Sequence, residues 1–303
     1  MLIPHSRWLL VLLLAPLLFY CEKNSSDTGK EYKQEVDKWH QQRIESLKES
    51  DSWLTLAGLY PLANGNQSFG SDSSNSIVFP EKAADQIGIL TKNGQKFTVE
   101  INDGVTVWNN GQKIEKTTLN ITAGDKATVL RHKSLIWYII ERRDAYYLRL
   151  KDRQHPNLTA FEDIDRFPVS GEWKIQATFE PFEKPRAIRI PDILGETYRD
   201  TAFGMLRFTK GGKEYRLAPL GHPTKDESFF VIFADGTNGG STYSGGRYLY
   251  VPTPGNDGTT YIDFNKSYNP PCVFTDYATC PLPPEQNRLG LKVTAGEMMY
   301  DSK

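Results

Sequence analysis

The sequence lacks an excess of charge of either sign. Its 303 residues carry a formal net charge of −1, with 36 lysines and arginines against 37 acidic residues. A nucleic-acid-binding domain usually has a basic face and a high pI, because it must neutralise phosphates. We therefore predict that nucleic acid is not a partner. Charged residues at 24% and hydrophobic residues at 39% are ordinary for a folded globular protein.

The sequence also lacks the short motifs of the common enzyme classes. It contains no GxSxG elbow, no HExxH pair, no Walker loop, and no dinucleotide fingerprint between a strand and a helix. The histidines beyond the first segment are isolated from one another: His40, His132, His155 and His222. Isolated histidines are more typical of packed or surface residues than of metal ligands. We predict no metal site and no cofactor.

Cysteine is scarce, and its three positions matter. Cys21 stands near the N-terminus, whereas Cys272 and Cys280 are eight residues apart near the C-terminus. In an exported protein such a pair can form a disulfide that closes a small loop. Two buried free thiols are an equal alternative, and the sequence alone leaves the choice open.

The first 21 residues differ in kind from the rest. Arg7 and the amino terminus supply positive charge, and residues 8–20 read WLLVLLLAPLLFY. This pattern is typical of a secretory signal, and the apolar run is shorter than the roughly 20 residues that span a bilayer. Cys21 then stands where a bacterial lipoprotein carries its lipidated thiol, although Tyr20 replaces the small residue usual before it.

We therefore predict an exported protein anchored to the cell membrane or outer membrane of the envelope. Residues 1–21 would be the leader, Cys21 the lipidation site, and residues 22–30 a flexible polar tether. An uncleaved or soluble secreted form, and a chance apolar segment, remain as alternatives.

The remaining chain predicts one helix followed by many short strands. Apolar residues at spacings of three to five predict a helix over residues 30–50. From residue 53 onward, short β-branched and aromatic runs alternate with turn sequences such as NG, DG and NNG. We predict a mainly β fold: an N-terminal helix followed by two packed antiparallel β-sandwich or barrel units. The helix and first unit would occupy residues 31–165, and the second unit, with a proline-rich tail, residues 166–303.

Three long segments resemble one family of bacterial and archaeal proteins. They are residues 51–70 (DSWLTLAGLYPLANGNQSFG), residues 229–249 (FFVIFADGTNGGSTYSGGRYL) and residues 261–297, which begin YIDFNKSYNPPCVFTDY. All three are similar to the family known as domain of unknown function 1684, and the likeness extends over roughly residues 35–300. The resemblance implies no activity, because the family has none established.

The first half also faintly resembles forkhead-associated β-sandwiches, through YYLRLKD at residues 146–152, but it lacks a match to their phosphopeptide-binding residues. That likeness implies a sandwich only.

Polar residues of the second half form the candidate ligand-binding site. On a strand through residues 261–264, Asp263 points away from Ile262 and Phe264, so it shares a face with Asn265. Arginine forks bind carboxylates and phosphates, and nearby carboxylates can orient water. The full candidate set is Asp235, Thr237, Tyr243, Arg247, Asp263, Asn265, Tyr268, Asn269, Glu285 and Arg288.

Two functions fit this set of residues. We predict a cell-envelope binding or interaction module for a small polar or anionic ligand or a protein partner. The alternative is a hydrolase that uses a carboxylate-activated water in the C-terminal domain. A purely structural role, in which these side chains cap loops and pin the tail, competes with both functions.

Overall fold

The computed structural model describes residues 25–121, 127–142 and 145–300. The predicted leader, the lipidation site Cys21 and the start of the tether lie outside the described residues. Of the helices in these described ranges, none is both long enough and apolar enough to cross a membrane.

The first element is helix α1 (Ser25–Leu47). Residues 25–30, expected as tether, are therefore helical. Val36, Ile44 and Leu47 are buried on one side of the helix, as their spacing predicts. The helix covers the second β unit and the segment between the two units, so it joins parts of the chain that are far apart in sequence.

Within the residues that the structure describes, the first β unit contains eleven strands in two sheets. In chain order they are β1 (Leu56–Pro61), β2 (Gly65–Gly70), β3 (Ile77–Val78), β4 (Gly88–Asn93), β5 (Lys96–Ile101), β6 (Val107–Asn109), β7 (Gln112–Ile114), β8 (Lys116–Leu119), β9 (Leu130–His132), β10 (Leu135–Arg142) and β11 (Ala145–Asp152). One sheet has the order β1-β11-β10-β9-β6-β7 and the other β3-β2-β4-β5-β8. Their inner faces share a core around Trp137, Phe69 and Phe97, which are fully buried.

A short helix, α2 (Pro156–Ala160), leads to the second β unit. The unit contains β12 (Lys174–Pro191), β13 (Thr197–Lys210), β14 (Lys213–Leu217), β15 (Ser228–Phe233), β16 (Arg247–Pro252) and β17 (Thr259–Asp263). Four strands form a sheet in the order β14-β13-β12-β17, and β15 pairs with β16. A second core surrounds Phe229, Phe233 and Phe264. The predicted hairpin turn between β13 and β14 is confirmed, with Gly211 and Gly212 at the positive φ angles of 59° and 75°.

The proline-rich tail, residues 264–300, folds back over the second unit as turns and loops. Cys272 and Cys280 form a disulfide within it, with Cα atoms 6.1 Å apart. Cys280 packs with Leu56 and Ala278, so the disulfide loop also contacts the first unit. A third cluster joins α1 to this region through Ile44, Leu47, Leu54, Phe161, Ile164 and Phe274.

The predicted fold class is confirmed: the chain is mainly β, with one long N-terminal helix and antiparallel sheets. The two principal cores lie within residues 62–150 and 173–295. The division at residue 165 stays a prediction.

Reduction of the Cys272–Cys280 disulfide should lower the free energy of unfolding by about 2–3 kcal/mol, because the bond restricts a loop of this size in the unfolded chain. Urea denaturation of oxidised and reduced protein measures the difference. A Cys272→Ala, Cys280→Ala variant is the control, since its midpoint should not respond to the reductant. Equal midpoints for oxidised and reduced wild-type protein would contradict the prediction.

Candidate functional site

Asp235 and Arg247 form a fully enclosed ion pair beneath the tail. Arg247 Nη2 donates to Asp235 Oδ2 at 2.8 Å, and neither side chain is exposed. Asp235 Oδ1 accepts from the backbone and hydroxyl groups of Thr237 at 2.8 and 2.6 Å, and from Val293 N at 3.1 Å. Arg247 also donates to the carbonyl of Val293 at 2.9 Å and to that of Ala295. The pair therefore fastens the tail to the loop that follows β15.

Burial makes this pair costly to disturb. Desolvation lowers the pKa of Arg247, and the adjacent Asp235 carboxylate opposes that shift. Removing one partner of a buried pair leaves an uncompensated charge in a medium of low polarity. The arrangement therefore has the properties of a structural latch. This agrees with the purely structural role, in which these side chains pin the tail.

Asp263 and Asn265 lie on one side of β17 and the turn after it, while Ile262 and Phe264 point into the core, as the alternation predicts. Helix α1 covers this side. Tyr32 of α1 donates from its hydroxyl to Asp263 Oδ1 at 2.7 Å, and Asn265 Nδ2 donates to the same hydroxyl at 2.8 Å. Burial raises the pKa of Tyr32 above its usual range, and the hydrogen bond to Asp263 raises it further. The polar face is therefore an interface within the protein.

Tyr268 and Asn269 contact Arg43, a second residue of α1 that packs on the tail. The Arg43 guanidinium lies 4.6 Å from the centre of the Tyr268 ring and donates to the Asn269 carbonyl at 2.9 Å. Arg43 Nε also donates to Glu297 Oε1 at 3.0 Å, and Asn269 N donates to Glu297 Oε2 at 2.6 Å. Glu297 is fully buried, and sequence reasoning missed it because its partner lies 254 residues away.

Tyr243 is half-buried in the loop before β16, and burial raises its pKa. Its backbone carbonyl accepts from Asn238 Nδ2 at 2.6 Å. Thr237 and Thr242 of the same loop hydrogen-bond through their hydroxyls at 2.8 Å. These contacts stabilise the loop that positions Asp235.

The structure does not bring Glu285 and Arg288 into this network. Both side chains are exposed, and within the described part of the chain neither has a hydrogen bond or ion pair with Asp263 or Arg247. The buried residue of this segment is Asn287, whose Oδ1 accepts from Ala218 N at 2.7 Å. Residues Glu285–Asn287 form a single 3-10 turn that directs Asn287 inward and leaves the two charged side chains in solvent.

The candidate residues therefore form three buried groups and an exposed pair rather than one open groove with converging acids. Ligand binding by them stays a prediction. Within the described residues, no three side chains of His, Cys, Asp or Glu are grouped as metal ligands.

A different place has the geometry of a binding site. The outer face of the first sheet borders a cavity of about 910 Å³, lined by Arg142, Arg149 and Lys151 together with Tyr138 and isoleucines of β10. Arg149 is only 5% exposed, and its Nε has no hydrogen-bond partner. A buried guanidinium at a cavity wall, without a carboxylate beside it among the described residues, is uncommon.

The three cations of the cavity repel one another. Burial lowers the pKa of Arg149, and the charge of Arg142 lowers it further, while Tyr138 opposes the shift. Burial likewise lowers the pKa of Lys151, where Asp51 opposes the shift and Arg149 adds to it. Lys151 Nζ donates to the backbone carbonyl of Asp51, which supplies no full negative charge. The positive charge of this cluster is thus incompletely compensated.

Arg142 connects this cavity to the tail. Its Nε donates to the Thr279 hydroxyl at 3.2 Å, within the disulfide loop. Arg142 and Glu141 also line a smaller cavity of about 370 Å³ between the first unit and the β12–β13 turn. The cationic cavity therefore ends where the two β units meet.

Sequence reasoning missed this cavity, although a signal was present. In the run YYLRLKD, Leu148 and Leu150 alternate with Arg149 and Lys151, which places both cations on the outer face of a strand. The run alone does not reveal that the outer face is partly enclosed, since the enclosing residues come from other strands.

The comparisons with known proteins give a family and no activity. Residues 159–298 match the family described as "Protein of unknown function (DUF1684)". The chain is also similar to the solution NMR structure of an uncharacterized protein of Haloarcula marismortui, with 31% sequence identity and a TM-score of 0.39. That match covers 46% of this chain and 78% of the archaeal one. No curated protein matches the sequence.

Replacing Asp235 by Asn should lower the free energy of unfolding by about 3–5 kcal/mol, because it leaves Arg247 buried without a counter-charge. Urea denaturation followed by tryptophan fluorescence measures the loss. Glu285→Gln is the matched control, since an exposed acid should change stability by no more than about 0.5 kcal/mol. A loss for Asp235→Asn as small as that of the control would show that the pair is not a latch.

Proposed function

We propose that this chain, whose residues 159–298 belong to the DUF1684 family, is a cell-envelope binding module for a small anionic ligand. We place the ligand in the cationic cavity of Arg142, Arg149 and Lys151. The leader pattern and Cys21 support export and a lipid anchor, as the sequence predicts. The inner or outer membrane would then be its partner.

The observation that carries the proposal is the state of Arg149. Its guanidinium is buried at the wall of a 910 Å³ cavity, and no carboxylate pairs with it among the described residues. Ligand pockets usually have volumes of about 300–1,000 Å³ and a few well-placed polar groups. A buried charge without a counter-charge costs free energy, which an incoming ion of opposite charge recovers. An anion in the cavity beside Arg149 would supply the missing negative charge.

The neighbouring charges support an anion over a neutral polar ligand. The charge of Arg142 lowers the pKa of Arg149, and the charge of Arg149 lowers the pKa of Lys151. The acids at the cavity, Asp51 and Glu141, are exposed, so water screens them more than it screens Arg149. A bound anion would relieve the repulsion of all three cations at once.

Binding of inorganic phosphate and of acetate should be saturable and should depend on Arg149. We expect Arg149→Met to weaken both by about tenfold or more, the loss of one charge-assisted hydrogen bond. Isothermal titration at ionic strength held constant with sodium chloride measures the dissociation constants. Arg189→Met, which removes an exposed arginine of β12, is the control and should bind as wild type does. Equal binding by wild type and Arg149→Met would sink the proposed site.

The lipid anchor is tested separately. In cells, Cys21→Ser should move the protein from the membrane fraction to the soluble fraction, because each buried methylene of the acyl chains contributes about 0.8 kcal/mol to membrane binding. Immunoblots of the fractions, together with palmitate labelling, measure the change. Cys272→Ser with Cys280→Ser is the control and should remain labelled. Labelling that persists in Cys21→Ser would exclude this residue as the lipidation site.

A further inference from the structure

The outer face of β10 and β11 carries two parallel rows of different chemistry. Ile136, Tyr138 and Ile140 alternate along β10 and are half-buried, with the buried Trp137 and Ile139 between them. On β11 the same face carries Lys151 opposite Ile136 and Arg149 opposite Tyr138. An apolar row therefore runs beside a cationic row.

The cavity above these rows is larger than a small anion requires. It has a volume of about 910 Å³, and its apolar wall extends past β10 to Val129, which is 38% exposed. From Ile136 to Ile140 the row is about 14 Å long at roughly 3.4 Å per residue, about the length of a ten-carbon chain. Half-buried isoleucines and the exposed valine are stabilised when an apolar group removes water from them.

We propose that the ligand of this cavity is an amphipathic anion, with a carboxylate or phosphate head and an unbranched apolar chain. This inference rests on the proposed function and names its ligand class. The head pairs with Arg149 and Lys151, and the chain lies along Ile136, Tyr138 and Ile140. Arg142 closes the end of the groove where it contacts Thr279 of the tail.

Tyr138 lies where the apolar row meets the cationic row of the site, and its phenol has both an apolar ring and a polar hydroxyl. Tyr138 stands between the two isoleucines on β10 and faces Arg149 across the strand pair. Tyr138 raises the pKa of Arg149, against the larger effect of burial. Its ring therefore belongs to the apolar row, and the residue stands beside the arginine that we propose binds the head.

The test is a chain-length series measured by isothermal titration below the micelle concentration of each probe. The probes are acetate, hexanoate, octanoate and decanoate, with octyl phosphate and decyl phosphate as the second head group and decanol as the neutral analogue. We expect the dissociation constant to fall by about two- to fourfold per methylene, the upper value being full burial. Decanol should bind at least tenfold more weakly than decanoate. The ratio between decanoate and decyl phosphate decides which head the site prefers.

Two variants separate the two rows. Arg149→Met should weaken acetate and decanoate by the same factor, because it removes the head contact alone. Ile140→Thr should leave acetate unchanged and weaken decanoate about fivefold or more. Ile89→Thr, which alters an isoleucine of β4 that is 41% exposed and does not line the cavity, is the matched control. Circular dichroism and the urea midpoint verify that each variant is folded.

The outcomes distinguish the inference from the function on which it rests. Binding of acetate that depends on Arg149, without any gain from hexanoate to decanoate, would overturn the amphipathic ligand and leave the anion-binding function intact. Absence of binding by every anion would overturn both. Equal affinity for decanol and decanoate, unaffected by Arg149→Met, would identify a purely apolar site and also overturn both.

Discussion

The enclosed ion pair of Asp235 and Arg247 is the constraint on which the second half of the structure depends. A guanidinium without solvent needs a counter-charge and acceptors, and here a carboxylate and carbonyls of the tail supply them to its terminal nitrogens. The proline-rich tail cannot form a strand ladder or a long helix, so side-chain contacts must hold it. Because the pair fixes the chain at Val293 and Ala295, it also places Glu297 two residues later, where Glu297 receives Arg43 of α1. The long helix, the tail and β16 therefore form one connected network.

The tail in turn connects this network with the first β unit. Its disulfide loop packs on Leu56 through Cys280, and Thr279 accepts a hydrogen bond from Arg142 at the end of β10. Arg142 is the residue shared by the cationic cavity and the smaller cavity between the two units. Consequently the position of Arg142, which forms one wall of the proposed site, depends on Thr279 of the tail, about 140 residues downstream.

Local patterns predicted much of the fold but little of the site. The Gly211–Gly212 turn and the alternation through Ile262, Asp263 and Phe264 are local properties, and the structure has both. The partners of Asp263 and Glu297 on α1 are more than 200 residues distant, and no local pattern encodes which face a helix will cover. Prediction therefore placed Asp263 on the correct side of its strand but treated that side as open. Glu285 and Arg288 were grouped with the buried acids by proximity in sequence, but the 3-10 turn of this segment directs Asn287 inward instead, where it hydrogen-bonds Ala218.

The two buried arginines, Arg247 in the latch and Arg149 at the cavity, differ in whether the protein supplies a counter-charge. Arg247 has Asp235 at 2.8 Å, and carbonyl oxygens of the tail accept from its terminal nitrogens. Its Nε has no hydrogen-bond partner, as is also true of Arg149, but the protein itself supplies the counter-charge of Arg247. Arg149 is almost as deeply buried, yet its neighbours are a phenol, the Trp53 ring at 5.7 Å and two further cations. Burial of a charge without a counter-charge lowers stability, and a fold tolerates it where another molecule supplies the compensation. The two sites therefore differ in counter-charge: the protein supplies one for Arg247, whereas Arg149 lies at a cavity wall without one among the described residues. This difference is the physical reason to propose ligand binding in the first β unit and structural support in the second.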